Sequence, residues 1–318
     1  MAAYAARRTI GSLPIILGIT VAVFILINLM PGDPVDMMIN PELGGSGEAL
    51  KAKREALGLD KPLPVRYVAW LGEMLRGNLG YSFVNSRPVT TRIIERAGAT
   101  LQLMGSALLL AVVVGIPAGV FVALRQYSMV DYVTTAATFV TLSIPSFFLG
   151  LGTIYVLSLR LGLLPVAGMS TLGQEFSAAD RFRHLIAPMC VLGLAHAAEF
   201  MRYVRAGMLE VLREQYICTA RSKGLTERVV IYKHALRNSL LPLITLLGLS
   251  IPGLLGGAVI TERIFQWPGM GMLMIEAILS RDYPVLMGLN LVTALSVFFG
   301  SILADVLYAI ADPRIRLH

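Results

Sequence analysis

Residues 99–124 read ATLQLMGSALLLAVVVGIPAGVFVAL, a run of 26 residues without Asp, Glu, Lys or Arg. A helix of that length rises roughly 39 Å, enough to cross the roughly 30 Å of hydrocarbon in a bilayer. Five further stretches share its character: about 9–30, 132–159, 185–205, 239–261 and 285–311. Hydrocarbon cannot satisfy open backbone groups, so each is expected as a helix. The expected fold is an all-α polytopic membrane protein with six transmembrane helices. Arg7 and Arg8 precede the first run as in a signal peptide, but the run is too long and ends in Met30-Pro31-Gly32-Asp33-Pro34, without a small-residue cleavage site. It reads as a retained helix.

Composition agrees. Hydrophobic residues make up 56% of the 318 positions and charged ones 15%, against about 25% charge in soluble domains. A soluble fold of this size has too little interior to hide that much apolar surface. This argues against a soluble enzyme, a disordered chain and a nucleic-acid binder. The net charge of +7 fits basic loops facing anionic headgroups. With the N-terminus inside, segments 1–8, 125–131, 202–238 and 312–318 carry 13 Lys and Arg, and the short outside loops 160–184 and 262–284 carry 5. Both termini are therefore expected in the cytoplasm.

Two polar inserts interrupt the spans. Segment 31–98 holds Tyr67, Trp70 and the amphipathic run Glu48–Leu57, and reads as a small outside cap. Segment 202–238 is basic yet helical in pattern: Leu209, Leu212, Tyr216 and Ala220 recur every three or four residues on one face. Gly224 is expected to end that helix as a C′ residue, and Thr226 to open a second short helix as its N-cap. Such a hairpin suits docking on a partner, or lying flat on the membrane surface.

Few residues offer chemistry. His196, Glu199 and Arg202 repeat at intervals of three in the fourth span, and Asp305 lies in the sixth. Intramembrane ionisable groups line pathways or form structural polar clusters; the sequence leaves both open. His184, His196, His234 and His318 lack metal-ligand spacing, and Cys190 and Cys218 make no disulfide framework. No Gly-Lys-Ser/Thr triplet occurs, so there is no P-loop, and nucleotide-driven work would need a separate chain. Gly80-Tyr81-Ser82 is a weak hint of a serine hydrolase, in a loop. A stand-alone secondary transporter or channel is the other alternative.

Many short motifs then occur in order: Pro31-Gly32-Asp33-Pro34-Val35, Leu57-Gly58-Leu59-Asp60-Lys61-Pro62-Leu63, Gly77-Asn78-Leu79-Gly80-Tyr81-Ser82, Ser143-Ile144-Pro145-Ser146-Phe147 and Leu164-Pro165-Val166-Ala167-Gly168. Thr219-Ala220-Arg221-Ser222-Lys223-Gly224, His234-Ala235-Leu236-Arg237-Asn238 and Leu241-Pro242 follow. Near the end come Phe265-Gln266-Trp267-Pro268-Gly269-Met270-Gly271, Arg281-Asp282-Tyr283-Pro284 and Asp312-Pro313-Arg314. Almost end to end, the chain resembles the peptide/opine/nickel family of ABC importer permeases, in its dipeptide/oligopeptide-permease B-type branch. The block at 216–242 is similar to the EAA loop of importers, with Cys218 and Thr219 in place of its first Glu and Ala.

The resemblance implies a type I importer-like permease. It comprises a stub and first helix at 1–30, a periplasmic cap at 31–98, a core at 99–311 and a cytoplasmic tail at 312–318. A coupling loop at 206–238 lies between helices 4 and 5. Arg213, Tyr216, Thr219, Ala220, Arg221, Ser222, Lys223, Gly224 and Leu225 would contact an ATPase. His196, Glu199, Arg202 and Asp305 would line the path or form a polar cluster. Trp267, Pro268, Gly269, Arg281 and Asp282 would dock a periplasmic binding protein. The resemblance also implies a second homologous permease and two ATP-binding subunits as partners, with ATP and Mg held there and no cofactor on this chain. The membrane would be the bacterial inner membrane, and the cargo short peptides, with opines, glutathione or nickel chelates as family alternatives.

Overall fold

A computed structural model describes residues 2–29, 47–56, 58–256 and 258–311. The Pro31–Val35 motif, Leu57, Gly257, and the tail with Asp312-Pro313-Arg314 lie outside the described residues. Among those described, helix dominates and the only strand-like pairing is an isolated bridge between Tyr81 and Pro88.

The first apolar run lies in α1 (Ala2–Leu29). Two short helices follow, α2 (Gly47–Ala56) and α3 (Leu63–Leu75). Helix α3 leans on α1: the Tyr67 and Thr20 hydroxyls share a hydrogen bond of 2.9 Å, and Tyr67 meets Phe24 edge to face at 5.4 Å. The stretch that decides the fold begins earlier than its sequence suggests, as α4 (Val89–Leu124). Its main partner is α7 (Ala178–Val211). A Cβ on Gly115 would lie 2.7 Å from the Ala197 carbonyl oxygen, and one on Gly119 2.7 Å from the Val204 Cβ. On the facing helix, one on Gly193 would lie 2.9 Å from the Ala107 carbonyl oxygen. The helices pack backbone to backbone because these positions carry no side chain, the mode that lipid surroundings favour. Contact order along the seam shows that α4 and α7 run parallel.

Parallel neighbours need a return crossing, and the third apolar stretch supplies it in two pieces. Helix α5 (Met129–Ser143) and α6 (Ser146–Thr153), which continues as a π-type turn through Arg160, meet at 98°. The single span expected at 132–159 is therefore broken. Pro145 lacks an N–H, and Ile144 before it is extended, with φ −84° and ψ 122°. Gly150 of α6 rests against Ile264.

Beyond α7 come α8 (Gln215–Ser222), a helix built of α9 (Glu227–Val229), a π-type turn and α10 (Leu236–Ser239), and then α11 (Leu241–Gly256). The fifth apolar stretch ends early, and Val259–Ile264 forms a separate α12. Helix α13 (Met270–Leu279) leads to α14 (Tyr283–Ala311), which lies antiparallel to α11. Among the described residues, α4, α7 and α14 are long and apolar enough to span singly. The bent pairs α5–α6 and 227–254 pass the same test together.

The seam yields a test. Gly115→Ala forces a methyl against a carbonyl and should cost about 1–3 kcal/mol, whereas Gly98, with open space around it, should tolerate Ala. Thermal unfolding of purified protein in detergent, followed by size exclusion, reads both. Equal melting of the two variants would contradict the packing described.

Candidate functional site

The basic insert packs one face on the bundle and leaves the other exposed. Helix α7 stops at Val211, and the register resets through Leu212–Glu214 before α8 begins. The face expected from Leu209, Leu212, Tyr216 and Ala220 is thereby split. Ile217 and Ala220 are buried, while Tyr216 is exposed, its hydroxyl accepting a hydrogen bond from the Asn238 side chain at 2.7 Å. Ile217, Ala220, Val230 and Ala235 join Phe200, Val204 and Met208 of α7 and Leu243 of α11 in one apolar cluster. Ala220 is thus a packing residue of this chain and does not offer its small side chain to a partner.

Gly224 ends α8 as its position predicts. Its φ is +76°, its N–H donates to Arg221 O at 2.9 Å, and the Leu225 N–H reaches Ala220 O at 3.4 Å. These bonds form the Schellman pattern, whose left-handed C′ residue favours glycine. Thr226 has extended N-cap geometry, but its side chain makes no capping bond. Arg221 grips Glu227 at 2.8 Å. Arg213, Thr219, Ser222, Lys223 and Leu225 are exposed. The hydroxyls of Thr219 and Ser222 donate to carbonyls one turn back, at 3.0 Å each. Next to the loop, Arg205 of α7 makes two bonds of 2.8 Å to Asp131 of α5. That pair was invisible in sequence, because the partners lie 74 residues apart, one in the short loop 125–131 and the other at the end of the fourth apolar stretch.

The intramembrane polar residues separate. His196 and Glu199 line a cavity of about 300 Å³ between α4, α7 and α11. Arg202 is exposed and stacks on Tyr203 at 5.4 Å, and Asp305 is half-buried on α14. Neither Arg202 nor Asp305 lines that cavity. Glu199 instead faces His196 at 3.9 Å.

The residues expected to dock a binding protein are mostly internal. Trp267 is wholly buried, and its indole N–H donates to Ala99 O at 2.8 Å. Gly269 is buried, and Pro268 and Arg281 are half-buried. Around them, Glu262 caps the start of α13. It accepts the Met272 N–H at 2.9 Å and the Thr100 hydroxyl at 2.8 Å, while Thr100 accepts the Met270 N–H at 2.7 Å. A Cβ on Gly269 would collide with the Glu262 carboxylate, which explains the first glycine of Trp-Pro-Gly-Met-Gly. Burial holds the Glu262 carboxyl above the usual carboxylate range, against the pull of these bonds.

Asp282 is equally hidden. It accepts from the Ser82 hydroxyl, from the Phe83 N–H at 2.9 Å and from Arg92 at 3.0 Å. Arg92 and Arg96 also lie 3.9 and 3.6 Å from Glu276. Ser82 is thus a buried donor to a carboxylate and not the exposed loop hydroxyl that the serine-hydrolase alternative needs. Two of the motifs read in sequence, Gly77–Ser82 and Arg281–Pro284, are halves of one polar knot.

Residues 115–317 match the family described as binding-protein-dependent transport system inner membrane component, and residues 1–104 match its N-terminal companion. Among curated relatives, the oligopeptide transport system permease protein AppB of Bacillus subtilis is 46% identical, over 99% of this chain and 100% of its own length. The di/tripeptide transport system permease protein DppB of Pseudomonas aeruginosa is 40% identical, over 99% of each chain. The glutathione transport system permease protein GsiC of Escherichia coli K12 is 36% identical, over 98% of each. Among solved structures, the inward-facing MetNI methionine ABC transporter matches with a TM-score of 0.56 and 17% identity, over 70% of this chain and 97% of that one. The fold is that of a type I ABC importer permease.

The buried knots should behave as structural. Asp282→Ala takes the closest carboxylate from Arg92 and the acceptor from Ser82 and Phe83 in a largely buried site and should cost about 3–5 kcal/mol, read as a lower melting temperature in detergent. For Glu262, the raised value means that folding favours the protonated form. Its contribution is greatest at low pH and is lost as pH rises through the elevated value. Glu262→Gln should therefore flatten the decline of melting temperature with rising pH.

Proposed function

The chain belongs to the family of inner membrane components of binding-protein-dependent transport systems, and from that membership we propose that it is a permease subunit of an ATP-driven importer of short peptides. Similarity over the full length to an oligopeptide and a di/tripeptide permease supports the cargo. The observation that carries the mechanism is the basic loop. It is exposed where a partner would touch it, and packed where movement would have to be passed on.

In this reading the loop at 206–238 lies in the cytoplasm and α8 is a coupling helix. Arg213, Tyr216, Thr219, Arg221, Ser222, Lys223, Gly224 and Leu225 meet an ATPase subunit, and Arg213 and Lys223 pair with acidic groups at its rim. ATP and Mg belong to two such subunits, whose closure displaces α8. Because Ile217 and Ala220 share a cluster with residues of α7 and α11, displacement of α8 moves both. Those two helices also wall the cavity of His196 and Glu199, so access to the cavity changes with the position of the loop. A second homologous permease completes the path, and a periplasmic binding protein delivers cargo. Both termini are cytoplasmic, and the membrane is the bacterial inner membrane. The chain divides into 1–30, the cap 31–98, the core 99–311 and the tail 312–318.

Gly224 tests the coupling role. Within this chain its side-chain position is open, so a β-branched residue there adds backbone strain at the positive φ to any contact with the ATPase. Gly224→Val should lower ATP-driven peptide uptake in proteoliposomes and co-purification with the ATPases by about tenfold, while Gly224→Asn, which tolerates the left-handed conformation, should retain most of both. Unchanged uptake and assembly in Gly224→Val would end this reading.

A further inference from the structure

A buried or intramembrane carboxylate costs free energy unless something compensates it. The buried Asp131, Glu262 and Asp282, in the segments between the spans, all have close partners. Glu199 is different. Its nearest opposite group is the His196 ring at 3.9 Å, beyond hydrogen-bond reach, and among the described residues no hydrogen bond is made to its carboxylate. It is about one-third exposed, and the space it faces is the cavity of about 300 Å³. The opposing walls are apolar: Met104 and Leu108 from α4, Leu246 and Leu254 from α11. The one hydroxyl there, on Ser250, already donates to Leu246 O at 2.8 Å. Among the described residues no Lys or Arg lines the cavity, and no acid other than Glu199.

We infer that Glu199 receives the N-terminal ammonium of the transported peptide. This rests on the peptide-importer reading and adds to it a polarity of binding. An ammonium that enters the cavity supplies the missing counter-charge in surroundings of low dielectric, where a charge-assisted hydrogen bond is strong. Among the described residues the same wall offers no Lys or Arg for the peptide carboxylate, and the His196 ring lies on the Glu199 side, so the C-terminal end points away from it. The apolar surfaces of Met104 and Leu108 tolerate varied side chains. Recognition is therefore of a chain terminus and not of a sequence. The volume lies at the small end of the range for ligand pockets, in keeping with one end of a short peptide.

The test uses the assembled complex of permeases and ATPases in lipid nanodiscs, nucleotide-free and without binding protein, so that the binding protein's own selectivity does not enter. Saturation-transfer NMR measures the binding of dialanine, N-acetyl-dialanine and dialanine amide. Wild type should bind dialanine and its amide alike, and the N-acetyl form about tenfold more weakly. Glu199→Gln should bring dialanine down to the acetylated level, and Glu199→Asp should recover part of the difference. Equal binding of the free and acetylated peptides by wild type, no binding of either, or a preference that survives Glu199→Gln overturns the inference. ATP-driven uptake with the binding protein present separates the two levels. If wild type imports dialanine but fails the binding criteria, only the role of Glu199 falls. If it imports no short peptide, the cargo reading falls as well.

Discussion

The close approach of α4 and α7 is the constraint on which the rest of the molecule depends. Lipid tails are as apolar as leucine, so helices gain little by hiding side chains from them and must gain by fitting together. Gly115, Gly119 and Gly193 allow that fit. Two long parallel helices held in this way dictate a return crossing between them, which α5 and α6 supply. One end of the seam receives the buried face of the basic loop through Val204 and Met208. Towards the other end, Ala99 and Thr100 of α4 hold Trp267 and Glu262. The cavity of His196 and Glu199 opens beside the middle of the seam, where α11 completes its wall.

Polar groups do two kinds of work here. Most are consumed in fixing the backbone at one end of the bundle, where long loops would otherwise leave carbonyls and amides without partners. Glu262 caps a helix start, Trp267 ties a loop to α4, and Asp282 gathers donors from two distant segments. The exposed charges of the basic loop and the one-third-exposed Glu199 are of the other kind, open to other molecules.

The sequence made the apolar stretches legible because their length and lack of charge are local properties. Gly224 also pointed correctly to a helix end. What failed depended on neighbours. Pro117, Pro188 and Pro252 sit inside continuous helices while Pro145 breaks one, and the residues themselves look alike. The face drawn through Tyr216 and Ala220 assumed one unbroken helix, and three residues at 212–214 shift the register so that Ile217 takes the buried place. Trp267 and Asp282 looked like surface because they lie in short polar segments between spans. Only the partners, 168 and about 200 residues away, make them interior.

Those separations bear on how the molecule is made. Arg92 enters the membrane region with the second long helix, yet its partner Asp282 lies 190 residues downstream. At ribosomal rates of about 5–20 residues per second, that is a delay of about 10–40 seconds. Thr100 waits a similar time for Glu262, and Ala99 for Trp267. Through most of synthesis this end of the bundle holds open polar groups, and the segment from Glu262 to Asp282 closes it. Chains truncated before Glu276 and Asp282 leave Arg92 without the two carboxylates it meets in the finished fold.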